Sequence, residues 1–228
     1  FDREIALVTL NEAGMATAMG SPWDVSAAAH LPEHGASYFD GLPKAEAATA
    51  LRLDGVAPSV KHRKEVLAAL MKSFGPVALL DENESRALWR SVRQVKPFAS
   101  DASRRRPLWR ISTAPARGHE FAAAITPAAP MYYDWGGGLI WAALPPKPDA
   151  QAALLRSRVD AVGGHAMLLR GSEQVRRNVD VFHPQSGGLA ALSGRFRNSF
   201  DPKGILHRRR ILRGSAACKP NSLHPNWP

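Results

Sequence analysis

The chain has 228 residues, 45% hydrophobic and 22% charged, which is enough for a packed core and unlike a disordered polymer. No apolar run approaches the roughly 20 residues that span a bilayer, no secretory signal pattern opens the chain, and the single Cys218 excludes an internal disulfide framework or a cysteine-rich metal site. The net charge of +10 is uneven: six basic residues follow Asp201 with no acid among them, leaving 24 of the 30 Lys and Arg against 20 acids in the rest.

These totals predict a soluble, cytoplasmic protein whose body has an ordinary mixed surface and whose charge is concentrated at its end. The opening "FDREIALVTL" starts without Met and reads as a strand already under way, the expectation for a fragment. Residues 11–20, Ala- and Met-rich with Asn11 as a cap and Gly20 as a stop, predict a short helix. Alternation of Trp23, Val25, Ala27 and Ala29 predicts a half-buried strand, and 48–56 a second one with Leu51 and Leu53 on one face. The clearest helix is 59–75, where Val60, Val66, Leu67, Leu70, Met71 and Phe74 recur at the 3.6-residue period before Gly75-Pro76 ends it.

A short apolar strand, "PVALLD", then precedes a helix over 81–95 whose acids fall in its first turn and whose Arg90 and Arg93 come late, as the helix dipole favours. Beyond the basic loop carrying Arg104, Arg105 and Arg106, "PLWRISTAP" alternates as a strand and "HEFAAAI" reads as a brief helix. "MYYDWGGGLIWAALPP" is a strand hinged at its glycines. A helix closed by Gly163-Gly164, a strand "HAMLLRG", a helical turn and a last helix over 187–200 complete the order. Strands and helices alternating with short links predict an α+β fold. The first architecture to draw is a split βαβ, ferredoxin-like arrangement, duplicated, with a mainly antiparallel sheet covered by helices on one face.

Three consecutive glycines in "YDWGGGLIW", Gly136, Gly137 and Gly138, give up side-chain packing, so the chain there needs positive φ or a close approach. A bulge or tight turn is the ordinary explanation. A phosphate cradle is weaker, because a strand follows rather than a helix N-terminus; a surface where a planar cofactor meets bare backbone beside Trp135 is the sharper alternative. Arg110 in "LWRIS" faces inward, toward a carboxylate or anionic ligand, or outward, needing nothing; alternation leaves both open. The histidines show no HxH or HExxH spacing, which leaves no metal site to assign, and no GxSxG elbow is present, so no catalytic residue is assigned either. The tryptophans read as core and interface anchors.

Taken in order, "GSPWDVSAAAHLP", "LRLDGVAPSV", "LWRIS", "YDWGGGLIW" and "FDPKGIL" resemble the C-terminal part of the FAD-binding subunits of bacterial glycolate oxidases, in the FAD-linked oxidase group. The likeness runs from about Phe1 to Leu206. It implies that 1–206 is a cap domain lying over a flavin, with the FAD itself held mainly by an N-terminal domain of the full-length subunit. Catalytic relatives carry a histidine-bearing HxGDGNxH stretch for metal and base; here Asp134 and Trp141 stand where the histidines would be, and near His183 the later Glu-His pair is absent. Imidazole can ligate a metal and move a proton, and indole can do neither.

The resemblance therefore implies an oxidoreductase subunit that supports flavin binding and electron transfer in a complex oxidising glycolate to glyoxylate, without housing the metal-dependent hydroxyacid site. The fragment by itself is expected to be inactive. Its implied cofactor-contacting residues are Arg110, Trp135, Gly136, Gly137 and Gly138. Its implied partners are the catalytic flavin subunit and the iron–sulfur subunit, with peripheral membrane association through the complex and no nucleic acid. The competing class is a non-enzymatic α+β interaction module whose basic arm binds nucleic acid or an acidic partner. Residues 207–228 lose both periodicity and resemblance at one point, "HRRR" standing where the family continues "NPGR", and read as an irregular, frame-shifted tail.

Overall fold

The computed structural model describes residues 3–9, 12–32, 47–100, 105–125, 129–203 and 205. In chain order the elements are β1 (Arg3–Thr9), α1 (Glu12–Met19), β2 (Ala27–Leu31), β3 (Ala48–Gly55), α2 (Ala57–Met71), β4 (Ala78–Leu80), α3 (Glu82–Arg93), β5 (Leu108–Ser112), α4 (Gly118–Ala123), β6 (Met131–Asp134), β7 (Leu139–Ala143), α5 (Ala152–Ala161), β8 (His165–Arg170), α6 (Glu173–Asn178) and α7 (Gly187–Phe200). The chain divides into two compact units, Phe1–Val179 and Asp180–Pro228. All the strands belong to the first. In the second, α7 carries Leu189, Leu192, Phe196 and Phe200 along one stripe, with the Phe196 and Phe200 rings 4.8 Å apart. The basic segment 207–228 and the domain end expected at Leu206 lie outside the described residues.

The fold is α+β. Among the described residues, eight strands form one sheet in the order β4-β1-β3-β2-β6-β7-β5-β8, every neighbouring pair antiparallel. Read from its outer edge, each half has its own fourth strand first, then its first, third and second. That order lets two strand-helix-strand connections interleave while every ladder stays antiparallel. The halves join at β2 and β6 through one pairing, His30 with Tyr133.

Period-two alternation sends side chains to two faces, and both are packed. On the first face Leu51, Leu53, Trp109, Ile111 and Ile140 meet Val60 and Leu67 of α2, Phe121 of α4 and Leu155 and Val159 of α5. On the second, Ala29, Leu31, Ala48, Ala50 and Leu80 meet Leu88, Trp89 and Val92 of α3. Helical cover on one face alone, the sequence-based expectation, is thus corrected: α3 follows β4 and folds back under the first half of the sheet. The reason is visible in α3 itself, where Leu88, Trp89 and Val92 make a stripe that has to be buried. Its start is fixed by a capping box in which Asp81 Oδ1 accepts from the Glu84 N–H and Glu84 Oε2 from the Asp81 N–H, each at 2.9 Å. No helix among the described residues is long and apolar enough to cross a membrane.

One backbone contact fixes the glycine turn of the second half. A Cβ on Gly118 would sit 2.2 Å from the Gly137 carbonyl oxygen, so α4 begins in backbone contact with the turn between β6 and β7. Gly118→Ala is expected to cost about 2–3 kcal/mol through that clash, whereas Gly163→Ala, with φ of +68° and nothing within 4 Å, pays only for its left-handed backbone, about 1 kcal/mol. Urea unfolding of the two variants checks the difference.

At the seam, His30 is 6% exposed and its Nδ1 shares a hydrogen bond of 2.8 Å with Thr49 Oγ1. Its ring lies 5.8 Å from that of Tyr133. Burial lowers its pKa from 6.5 to about 4. Between those values the unfolded chain takes up a proton that the folded chain refuses, so stability is undiminished above about pH 6.5 and falls as the pH drops toward 4, by about 3 kcal/mol in all. Unfolding midpoints measured from pH 7 to pH 4 should therefore fall more steeply in the wild type than in His30→Asn.

Candidate functional site

The second face is covered differently in its two halves. Under β1–β4 it is closed by α3. Further along, after the 3-10 turn Lys96–Phe98, the Phe98 ring stacks on Tyr132 at 5.9 Å and Tyr132 on Trp141 at 6.5 Å. Past Trp141 the packing thins, and the next side chains on this face are half-exposed.

Strand register assembles them into rows. Tyr132 of β6 pairs with Trp141 of β7, Trp141 with Arg110 of β5, and Arg110 with Met167 of β8. Two residues along each strand, on the same face, Asp134, Leu139, Ser112 and His165 make a second row. The sequence left the direction of Arg110 open, and the register decides it. Trp109 and Ile111 go into the first-face core, so Arg110 lies on the second face between Trp141 and Met167, half-buried.

The turn after β6 completes the site. Trp135, Gly136 and Gly137 have φ of +52°, +64° and +97°, all left-handed. Glycine adopts this backbone freely, but tryptophan does so only under constraint. The constraint is Asp134, whose Oδ1 accepts from the Trp135 backbone N–H at 2.7 Å. Held this way, the indole is 60% exposed and stands over the Arg110 guanidinium, whose Cζ is 5.1 Å from the ring centroid. A planar cation stacked on indole keeps its rim N–H groups free to bond an anion. The Arg110 side chain makes no hydrogen bond or ion pair with any described residue.

Of the five residues singled out from the sequence, the fold brings Arg110 and Trp135 together at the surface and buries the other three. Gly136, Gly137 and Gly138 are packed inside. A Cβ on Gly136 would meet Met19 of α1 at 3.2 Å, one on Gly137 the Pro115 carbonyl oxygen at 3.0 Å, and one on Gly138 the Thr113 carbonyl oxygen at 3.1 Å. The glycine run is therefore a tight turn sunk against the protein's own backbone, the ordinary reading of the three glycines, and the side chain at its exposed edge is Trp135. Trp135 is presented outward, while Trp89 and Trp109 are core residues.

Sequence reasoning missed Ser112, Met167 and His165 as companions of Arg110. Only the alternation within 108–112 and 165–170 pointed to them, and no alternation states which strands will be neighbours. The two positions where the resemblance placed histidines hold Asp134, engaged at the turn, and Trp141, stacked on Tyr132. Among the described residues no three His, Cys, Asp or Glu side chains gather where they could hold a metal ion.

Burial pushes the Asp134 carboxyl above the ordinary carboxylate value of 3.8, and its hydrogen bond from Trp135 opposes that shift in part. Burial, and then the nearby Asp134 charge, raise the Tyr132 phenol, whose OH donates to the Val92 carbonyl at 3.0 Å. Tyr132 is thus neutral, and Asp134 takes up its proton at a higher pH than a solvated aspartate. Because Asp134 pins the indole, Trp135 fluorescence is expected to titrate with a midpoint above 3.8. The transition should vanish in Asp134→Asn, while Asp134→Ala should lower stability by about 1 kcal/mol through loss of the cap. Comparison with protein-family models and with curated proteins returned no match.

Proposed function

We propose that this chain is the cap portion of an FAD-dependent oxidoreductase subunit in a glycolate-oxidising complex, contributing one wall of the flavin-bearing site. One observation carries this reading: Arg110, whose side chain has no ion-pair partner among the described residues, lies on a half-exposed sheet face beneath an exposed indole with a left-handed backbone. Half-exposed, this guanidinium is solvated by water, and its rim N–H groups are open to an anion that a ligand or neighbouring domain supplies.

Flavin chemistry, when the cofactor is bound, is the two-electron transfer; this chain's residues can only bind, orient and shield. Arg110 and Trp135 fit the wall of a site for a flat, electron-accepting ring or for the carboxylate beside it. They do not make a phosphate cradle, so the cofactor's diphosphate would be held elsewhere, in keeping with a cap over a separate flavin domain. Asp134 and Trp141, at positions where the resemblance calls for imidazoles, are occupied with the turn and the aromatic stack. That supports a role in flavin support and electron transfer, and against this subunit being the metal-dependent hydroxyacid centre.

The test is reconstitution of the full subunit with its flavin and iron–sulfur partners, following glycolate-dependent reduction of an artificial acceptor. The complex is expected to turn over and the subunit alone to be inactive. Arg110→Gln should lower turnover by about tenfold, the loss expected for one charged hydrogen-bonding group at a site. Removing 207–228 should change little. Robust turnover by the isolated subunit would overturn the supporting role, and salt-sensitive nucleic-acid binding lost on that truncation would favour the interaction-module reading instead.

A further inference from the structure

The surfaces around Arg110 say more about its ligand than its charge does. One side of the guanidinium is taken by the Trp135 indole, 5.1 Å away. Its neighbours within the sheet row are the Trp141 indole and the Met167 thioether, both half-exposed. An anion that takes the rim N–H groups must lie alongside, at the level of these three groups. Indole faces and a thioether favour contact with a flat π system over a saturated one of equal size.

The strain agrees with this. An aliphatic anion would need only the cation, and nothing would be gained by keeping a tryptophan left-handed and 60% exposed above it. Asn or Gly at 135 would satisfy the backbone better, so the indole's presence at that position is accounted for by what it contacts.

We propose that the Arg110 platform selects an aromatic carboxylate, with the carboxylate on the guanidinium rim and the ring between Trp135 and Trp141. This rests on the reading of Arg110 as an anion site apart from the hydroxyacid centre, and it assigns that site an aromatic ligand distinct from the glycolate oxidised elsewhere in the complex. No covalent step is involved. The selectivity belongs to Trp135, and the affinity common to all carboxylates belongs to Arg110.

Three probes separate these contributions: benzoate, cyclohexanecarboxylate, which matches it in charge and nearly in size without a π face, and acetate. Each is titrated into the full chain while the indole N–H resonances of Trp135 and Trp141, assigned by their loss in Trp135→Phe and Trp141→Phe, are followed by NMR, the Trp141 signal giving the affinities in the Trp135 variants. Benzoate is expected to bind about fivefold tighter than cyclohexanecarboxylate, the factor that about 1 kcal/mol of ring contact provides. Trp135→Asn, which suits the left-handed backbone and so leaves the fold intact, should bring the two to equal affinity, and Trp135→Phe should keep part of the preference. Arg110→Gln should weaken all three together.

Equal binding of benzoate and cyclohexanecarboxylate to the wild type, with acetate also bound, would overturn the aromatic selectivity and leave the anion site standing. A preference that survives in Trp135→Asn would overturn the assignment to Trp135. Absence of any carboxylate binding would overturn the selectivity and the anion site together, and with them the proposed function.

Discussion

One backbone pairing, His30 against Tyr133, turns two four-stranded half-sheets into a single sheet of eight. Each half has its own strand order and its own crossover helices, and either could in principle be a separate layer. The seam makes the first-face core continuous, because Ala28, Leu51 and Leu53 from one half and Tyr133, Ile140 and Ala142 from the other belong to one buried cluster. A polar residue at such a place is admissible only if satisfied, and His30 meets the condition by staying neutral and bonding Thr49. The site depends on the same seam, since β6 carries Tyr133 to the junction on one face and Tyr132 and Asp134 to the site on the other.

From that junction the rest follows by register. β6 and β7 are joined by a turn too tight for side chains at 136 and 137, and the turn sinks against α1 and the chain before α4. Sinking the glycines is what leaves Trp135 outside. Alternation along β5 then puts Arg110 beneath it, with its neighbours Trp109 and Ile111 anchored in the opposite core. Trp109 is fixed further by its indole N–H donating to the Ala150 carbonyl at 3.2 Å. Arg110, Trp141 and Met167 are thus held by strands and Trp135 by the tight turn that joins two of them, which limits how far they can drift from one another.

The uneven cover of the second face explains why a site lies there at all. α3 closes that face over the first half with a capped, strongly amphipathic helix. Within the first unit, no helix among the described residues packs on that face of the second half as α3 does on the first. Its aromatic row instead steps from buried Tyr132 to half-exposed Trp141 and Arg110. Within the first unit, the duplicated strand order thus carries a closed core on this face in its first half and a half-exposed aromatic and polar row in its second.

Much of the local structure was determined by sequence alone. The helices over 57–71, 82–93, 152–161 and 187–200 and the strands at 48–55, 108–112 and 165–170 follow from apolar periodicity, an Asp81–Glu84 cap and stop signals at Gly75-Pro76 and Gly163-Gly164. These are interactions between residues a few positions apart, so they are written in the order of the chain. The turn at 135–138 was likewise foreseeable from its three glycines. The direction of Arg110, the burial of Gly136–Gly138, the exposure of Trp135 and the companionship of Ser112, Met167 and His165 were decided only by tertiary structure. Each depends on which strand lies beside which, and that choice is made by how the two half-sheets bury their faces against helices distant in sequence.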